Sequence, residues 1–160
     1  MSKPNTTTFS TAVARSFAPL AANAKLTIRE LGEGIHEVQG KDFTMRVRRG
    51  TGHRKDILVT LLPTAERPAD HDDLSKEIGL GVVAEFVGES LPELPIDTEE
   101  EYLRSADYLA KAADKLLLPY LLGTRNDFAE LKRFVADRAD KAVGEIPDYR
   151  FPKNVRKEWT

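Results

Sequence analysis

No cysteine occurs anywhere in the chain. That removes disulfides, thiolate zinc sites and cysteine nucleophiles together, and it suits a reducing compartment. Histidine is scarce too: His36, His53 and His71 form no H-x-x-x-H or H-E-x-x-H pattern, so no metal site is expected. His71-Asp72-Asp73 is read as carboxylates near a helix start, because adjacent residues do not converge on one ion. No window approaches the eighteen or so apolar residues that a membrane helix needs, and Arg15 with several Ser and Thr interrupts MSKPNTTTFSTAVARSF. No signal peptide and no span are expected, and the expected location is cytoplasmic. The chain also lacks G-x-S-x-G and the phosphate-loop pattern, so RRGTGHRKD is read as a solvated hairpin turn. The carboxylates from Asp97 to Glu101 sit in a capping segment, where they lack the burial that tunes an acid or base. No catalytic residue, cofactor or metal is expected, and the chain reads as a non-enzyme.

What the chain does have is one strong helical period. In TEEEYLRSADYLAKAADKLLLPYLL, from Thr98 to Leu122, the residues Tyr102, Ala106, Leu109, Ala113, Leu116 and Tyr120 recur at steps of three and four. Thr98 with Glu101 forms a capping-box signature at its start. Pro119 should kink or end the helix, and Gly123 is the natural left-handed C-cap. Hydrophobic residues make up 41% and charged residues 31%, which suits a globular chain able to bury a core without staples.

Upstream, Phe9, Val13, Phe17 and Leu20 predict a short amphipathic helix. Alternation predicts strands at Lys25 to Glu30 and Ile35 to Val38, then a hairpin with arms Phe43 to Val47 and Ile57 to Leu61. Asp72 to Ile78 is expected to be a short helix, and VVAEFV fits helix or strand. SLPELPID reads as an extended connector, and Asn126 to Val143 as a last helix. Strands grouped together, followed by helices grouped together, give an α+β fold. The expected architecture is an N-terminal helix, a small antiparallel sheet of three to four strands, and a C-terminal helical hairpin packed on the sheet. Residues 1–8 are expected to be flexible, residues 9–147 a single domain, and residues 148–160 a basic and aromatic tail.

Charge is unevenly spread although it sums to only −2. Residues 1–65 carry ten basic and five acidic groups (+5), residues 66–101 two basic and twelve acidic (−10), and residues 102–160 twelve basic and nine acidic (+3). The acidic block is either a solvated surface or a face for a basic partner, since complementary charge speeds encounter. Its candidate contacts are Glu85, Glu89, Glu93, Asp97, Glu99 and Glu100. The alternative is nucleic-acid binding by the hairpin cations Arg46, Arg48, Arg49, Arg54 and Lys55, with Arg46 and Arg48 on one strand face. Self-pairing of the acidic block with the basic hairpin of a second copy is a further route to a homo-oligomer.

The ending YLAKAADKLLLPYLLGTRNDFAELKRF, after a hairpin of the DFTMRVRRG…DILVTLLP kind, resembles the layout of small bacterial immunity-type proteins. The resemblance rests on architecture over residues 9–143. It implies a compact cytosolic antidote that binds a toxin or effector stoichiometrically, without catalysis and often through an acidic face. The functional expectation is therefore a protein-binding inhibitor, with a nucleic-acid-associated or regulatory protein as the alternative.

Overall fold

The computed structural model describes residues 5–32, 34–50 and 56–145. These divide into two compact units, with the boundary between Asn126 and Asp127. The first unit has α+β architecture.

It opens with α1 (Thr6–Ala12), which begins three residues before the first apolar position of the expected stripe. Asn5 and Thr8 cap it reciprocally: the Thr8 backbone N–H donates to Asn5 Oδ1 at 3.0 Å, and the Asn5 N–H to Thr8 Oγ1 at 3.1 Å. Residues 5–8 belong to the helix and its cap. A π-helical stretch, Val13–Phe17, joins α1 to α2 (Ala18–Asn23). Pro19 has no N–H to give and its ring crowds the preceding turn, so a widened turn just before it is physically reasonable. Lys25, at φ 61°, closes α2 in a Schellman turn, with Leu26 N–H on Ala21 O at 2.8 Å and Lys25 N–H on Ala22 O at 3.0 Å.

That turn uses up residues expected in the first strand, so β1 (Ile28–Gly32) starts later than the alternation predicts. Then follow β2 (Ile35–Gln39), β3 (Phe43–Arg49), β4 (Ile57–Pro63) and β5 (Ile78–Gly79). All four neighbouring pairs are antiparallel and the spatial order is the chain order, which makes an antiparallel meander of five strands. The strand beyond the expected three to four is β5, two residues long and too short to show any period.

Period-two alternation gives the sheet two faces. On one, Val38, Met45, Val47, Val59 and Leu61 are almost fully buried. Helices cover this face. Phe9 of α1 meets His36 at 5.8 Å between ring centroids, and Phe43 meets Tyr120 edge-on at 5.6 Å. The second face carries Glu37, Arg46, Arg48 and Thr60. It is covered by the connection from β4 to β5, which starts with a 3-10 turn (Thr64–Glu66).

The short helix expected at Asp72 to Ile78 is absent; the segment is a run of turns leading into β5. Asp70 Oδ1 accepts the Asp72 N–H, and Asp73 Oδ1 the Ser75 N–H, each at 2.9 Å. These Asx turns take backbone donors that a helix needs. The helix forms later, as α3 (Leu80–Phe86) with Gly79 at its N-cap, which settles VVAEFV as helical.

The connector expected at SLPELPID is irregular and leads into α4 (Glu99–Leu116). The capping box read from Thr98 and Glu101 is present, with both bonds at 3.1 Å. Tyr102, Ala106, Ala110, Ala113 and Leu116 form the buried stripe of α4. The helix breaks at Leu117 and resumes as the four-residue α5 (Leu118–Leu121), with Pro119 in its first turn. Gly123 at φ 75° ends it, and Thr124 N–H returns to Pro119 O at 2.9 Å. Gly40, in the β2–β3 turn, allows α5 to sit close: a Cβ there would lie 2.6 Å from Leu121 O and 2.9 Å from Leu121 Cα.

In the second unit α6 (Phe128–Glu145) occupies the region expected to be the last helix. The expected basic tail, residues 148–160, lies outside the described residues. No helix among the described residues is long and apolar enough to cross a membrane.

Candidate functional site

The acidic candidates lie on a strip beside α4. Glu85 is exposed on α3, while Glu89, Glu93 and Asp97 are exposed in the connector that follows. Two bonds fix where that connector runs. Lys115, near the end of α4, pairs with Glu89, and Ser105, nearer its start, donates to Pro95 O at 2.7 Å. The connector therefore runs antiparallel along α4. Glu100 and Lys115 are fifteen residues apart, about 22 Å along a helix, so the carboxylates form a strip and not a compact patch.

Several of these carboxylates also have partners within the first unit. Glu99 accepts from Thr8 Oγ1 at 3.1 Å and ties α4 to α1. Glu100 pairs with Arg104 at 2.9 Å across one turn of α4, with both side chains mostly exposed. Exposed pairs of this kind contribute little to stability and leave the charges open to an approaching molecule.

The basic candidates are placed differently. Arg46 and Arg48 do share a strand face, but that face is covered: Arg46 is 1% exposed and Arg48 6%. Arg49 alternates onto the opposite, helix-covered face and is half-buried. Arg54 and Lys55 lie outside the described residues. Arg46 and Arg48 are thus not displayed on the surface of the hairpin, and their guanidinium groups pair with carboxylates inside the protein.

Two glutamates hold them. The β2–β3 register sets Glu37 directly across from Arg46, whose Nε donates to Glu37 Oε2 at 3.1 Å. Glu37 also accepts from Arg29 of β1 at 3.1 Å and from Arg67 at 2.6 Å. Glu77, just before β5, accepts from Arg48 Nε at 2.9 Å, Thr60 Oγ1 at 2.6 Å and Arg46 Nη1 at 3.4 Å. Arg48 also donates to His71 O, and Arg67 to Gln39 Oε1 at 3.0 Å. The β4–β5 connection is thereby pinned to the sheet at Arg67, His71 and Glu77.

Burial works against the charge on Glu37, yet the hydrogen bonds from Arg46 and Arg29 and the charges of Arg67 and Arg46 hold its pKa below the usual glutamate value. Both carboxylates are nearly inaccessible, at 0% and 2% of their side-chain surface. The cluster is held inside the protein and not displayed at its surface.

Beside it lies a cleft of about 270 Å³, lined by Arg29, Glu37, Arg46, Arg67 and His71 among others. A second depression, of about 330 Å³, lies between α2 and α4, where Ser16 donates to Asp107. No group of three or more His, Asp or Glu residues able to hold a metal ion is present among the described residues.

Sequence reasoning missed Arg29, Glu37, Arg67 and Glu77 as members of one site. One signal was available: a tight turn at Lys41 and Asp42 sets Glu37 opposite Arg46, an opposite-charge cross-strand pair. Nothing local announces Glu77, which reaches Arg48 across twenty-nine residues of chain.

No protein-family model, curated protein or solved structure matches this chain.

Proposed function

We propose that this protein is a non-catalytic binding module that docks a basic partner protein through the acidic strip from Glu85 to Glu100. In its specific form the reading is neutralisation of a toxin or effector in the cytosol, as in the immunity-type proteins whose layout it resembles. The observation that supports this reading is the way the strip is held. Exposed carboxylates lie on an extended connector anchored at two points to a long, capped helix, so their spacing is set before a partner arrives. Preorganised charge of this kind steers encounter and spends little ordering entropy on binding.

The experiment uses a variant with Glu85, Glu89, Glu93, Asp97 and Glu100 neutralised to amides, sparing Glu99 and Glu101 because they tie α1 and cap α4. Each protein is used to retrieve partners from the native host, and the association rate of any partner lost by the variant is then measured in pure form. Steering predicts an on-rate slower by about 10–10³-fold in the variant, and a steep fall with salt for the unmodified protein. An on-rate indifferent to both salt and charge removal, with the fold intact by circular dichroism, would overturn the proposal.

A further inference from the structure

The buried members of the cluster balance, Arg46 and Arg48 against Glu37 and Glu77, and the excess charge sits at its partly exposed edge. Four guanidinium groups, of Arg29, Arg46, Arg48 and Arg67, face two carboxylates, of Glu37 and Glu77, which leaves an excess of two positive charges. Arg46 and both carboxylates are withdrawn from water, and buried charge is ordinarily paired. Holding the β4–β5 connection to the sheet does not explain the excess, since one arginine for each glutamate would serve.

The excess is not scattered. Arg29 and Arg67 are the partly exposed members, at 56% and 30% of their side chains, and both line the 270 Å³ cleft together with buried Arg46. Arg67 adds a second sign. Its Nε is buried and finds no acceptor among the described residues. A buried donor without an acceptor is rare in a native protein, and this one gains a partner from the cleft if the Arg67 side chain, itself partly exposed, turns toward it. Glu37, which also lines the cleft, is already bound by three guanidinium groups, so its charge is cancelled locally.

From the cleft, the positive excess on its wall and the unpaired Arg67 Nε, we propose that this protein binds a phosphate-type oxyanion between Arg29 and Arg67. The planar guanidinium fork matches an oxyanion's paired oxygens, and a dianion balances the two charges of Arg29 and Arg67. The cleft is larger than a bare oxyanion, so it accepts the free ion or the head of a small phosphomonoester. This site is separate from the acidic strip and stands or falls without it.

The test is calorimetric titration of the full chain with inorganic phosphate at fixed ionic strength, with chloride as the control and O-phosphoserine as the monoester probe. Expected is one phosphate per chain, no comparable response to chloride, and affinity at least tenfold weaker in Arg67→Gln and in Arg29→Gln. Arg104→Gln on α4, far from the cleft in the chain, should leave affinity unchanged. Should Arg67→Gln fail to fold, Arg29→Gln decides, because Arg29 sits half-exposed on the edge strand. Tighter binding of O-phosphoserine identifies an esterified head group, and tighter binding of inorganic phosphate identifies the free ion. Absence of phosphate binding, or binding undiminished in Arg29→Gln, would overturn the proposal.

Discussion

Replacing Glu77 with glutamine probes the structure where burial and charge meet. The side chain of Glu77 is 2% exposed, and its two oxygens serve Thr60, Arg46 and Arg48 at once. Glutamine keeps the shape, removes the charge, and turns one acceptor into a donor that faces guanidinium N–H groups. One carboxylate would then remain for four guanidinium groups. Breaking a buried ion pair from one side costs about 3–5 kcal/mol, most of it from the charge left without a partner. Glu100→Gln supplies the internal standard. Its bond to Arg104 has the same 2.9 Å length as the Glu77–Arg48 Nε bond, but both side chains are about 70% exposed. An exposed pair one helical turn apart contributes about 0.3–0.5 kcal/mol. Two pairs of equal length should therefore differ several-fold in stability, through burial and through the further partners that Glu77 holds. Urea denaturation of the parent and both variants, with slopes checked for equality, gives the comparison. A double replacement, Arg48→Met with Glu77→Leu, should recover part of the loss, because Arg48 no longer stands without its carboxylate, while Thr60 and Arg46 still lose one bond each. The reasoning fails if Glu77→Gln falls within about 1 kcal/mol of Glu100→Gln, a spread ordinary surface substitutions already show.

Acidification should lower stability in two windows. Burial holds His36 below its ordinary 6.5, outweighing the opposing charge of Glu30, so the unfolded chain binds the extra proton first and stability drops as pH falls from 6.5. Glu37 is held below its ordinary 4.5, so its contribution is present above 4.5 and is lost as pH falls further through the depressed value. Denaturation midpoints followed against pH should lose the upper step in His36→Gln and flatten the lower one in Glu37→Gln. Gly40→Ala should destabilise by about 1–3 kcal/mol or more, since its Cβ would meet the backbone of Leu121 at 2.6 Å and backbone yields little; an unchanged melting temperature would contradict this. Leu116→Ala, at a side chain 3% exposed, should cost about 2–5 kcal/mol in the same assay through lost contacts and a cavity.

The parts of the fold written in local chemistry were legible. The start of α4 follows from Thr98 and Glu101, three residues apart, and its body from apolar spacing, so cap and helix appear where they were read. The strands of the β3–β4 hairpin follow from alternation. Alternation also misled, because a strand polar on one face looks the same whether that face meets water or a buried ion cluster. Arg46 and Arg48 read as a strand face open to nucleic acid, yet that face is closed by a connection whose carboxylate, Glu77, lies far along the chain. Asp72 and Asp73 read as a helix start, yet the segment holds Asx turns at Asp70 and Asp73, since an aspartate side chain serves either structure. The site was hidden because its members are joined by tertiary placement and by no motif.

The meander order of the sheet sets a timetable for assembly. Each strand pairs with its neighbour in the chain, so most of the sheet forms from closures of short loops, which are entropically mild and fast. The bond from Thr8 to Glu99 spans ninety-one residues, so docking of α1 against α4 is expected late in folding. Substitutions in the central hairpin, such as Met45→Ala, should then slow refolding, whereas Phe9→Ala on α1 should chiefly hasten unfolding, as the two arms of a chevron plot would display. On that timetable the sheet and its ionic cluster are in place before the first helix closes the core. A chain truncated at its N-terminus should therefore still pair its strands while exposing the apolar face of the sheet, and that exposed face makes such a fragment prone to aggregate.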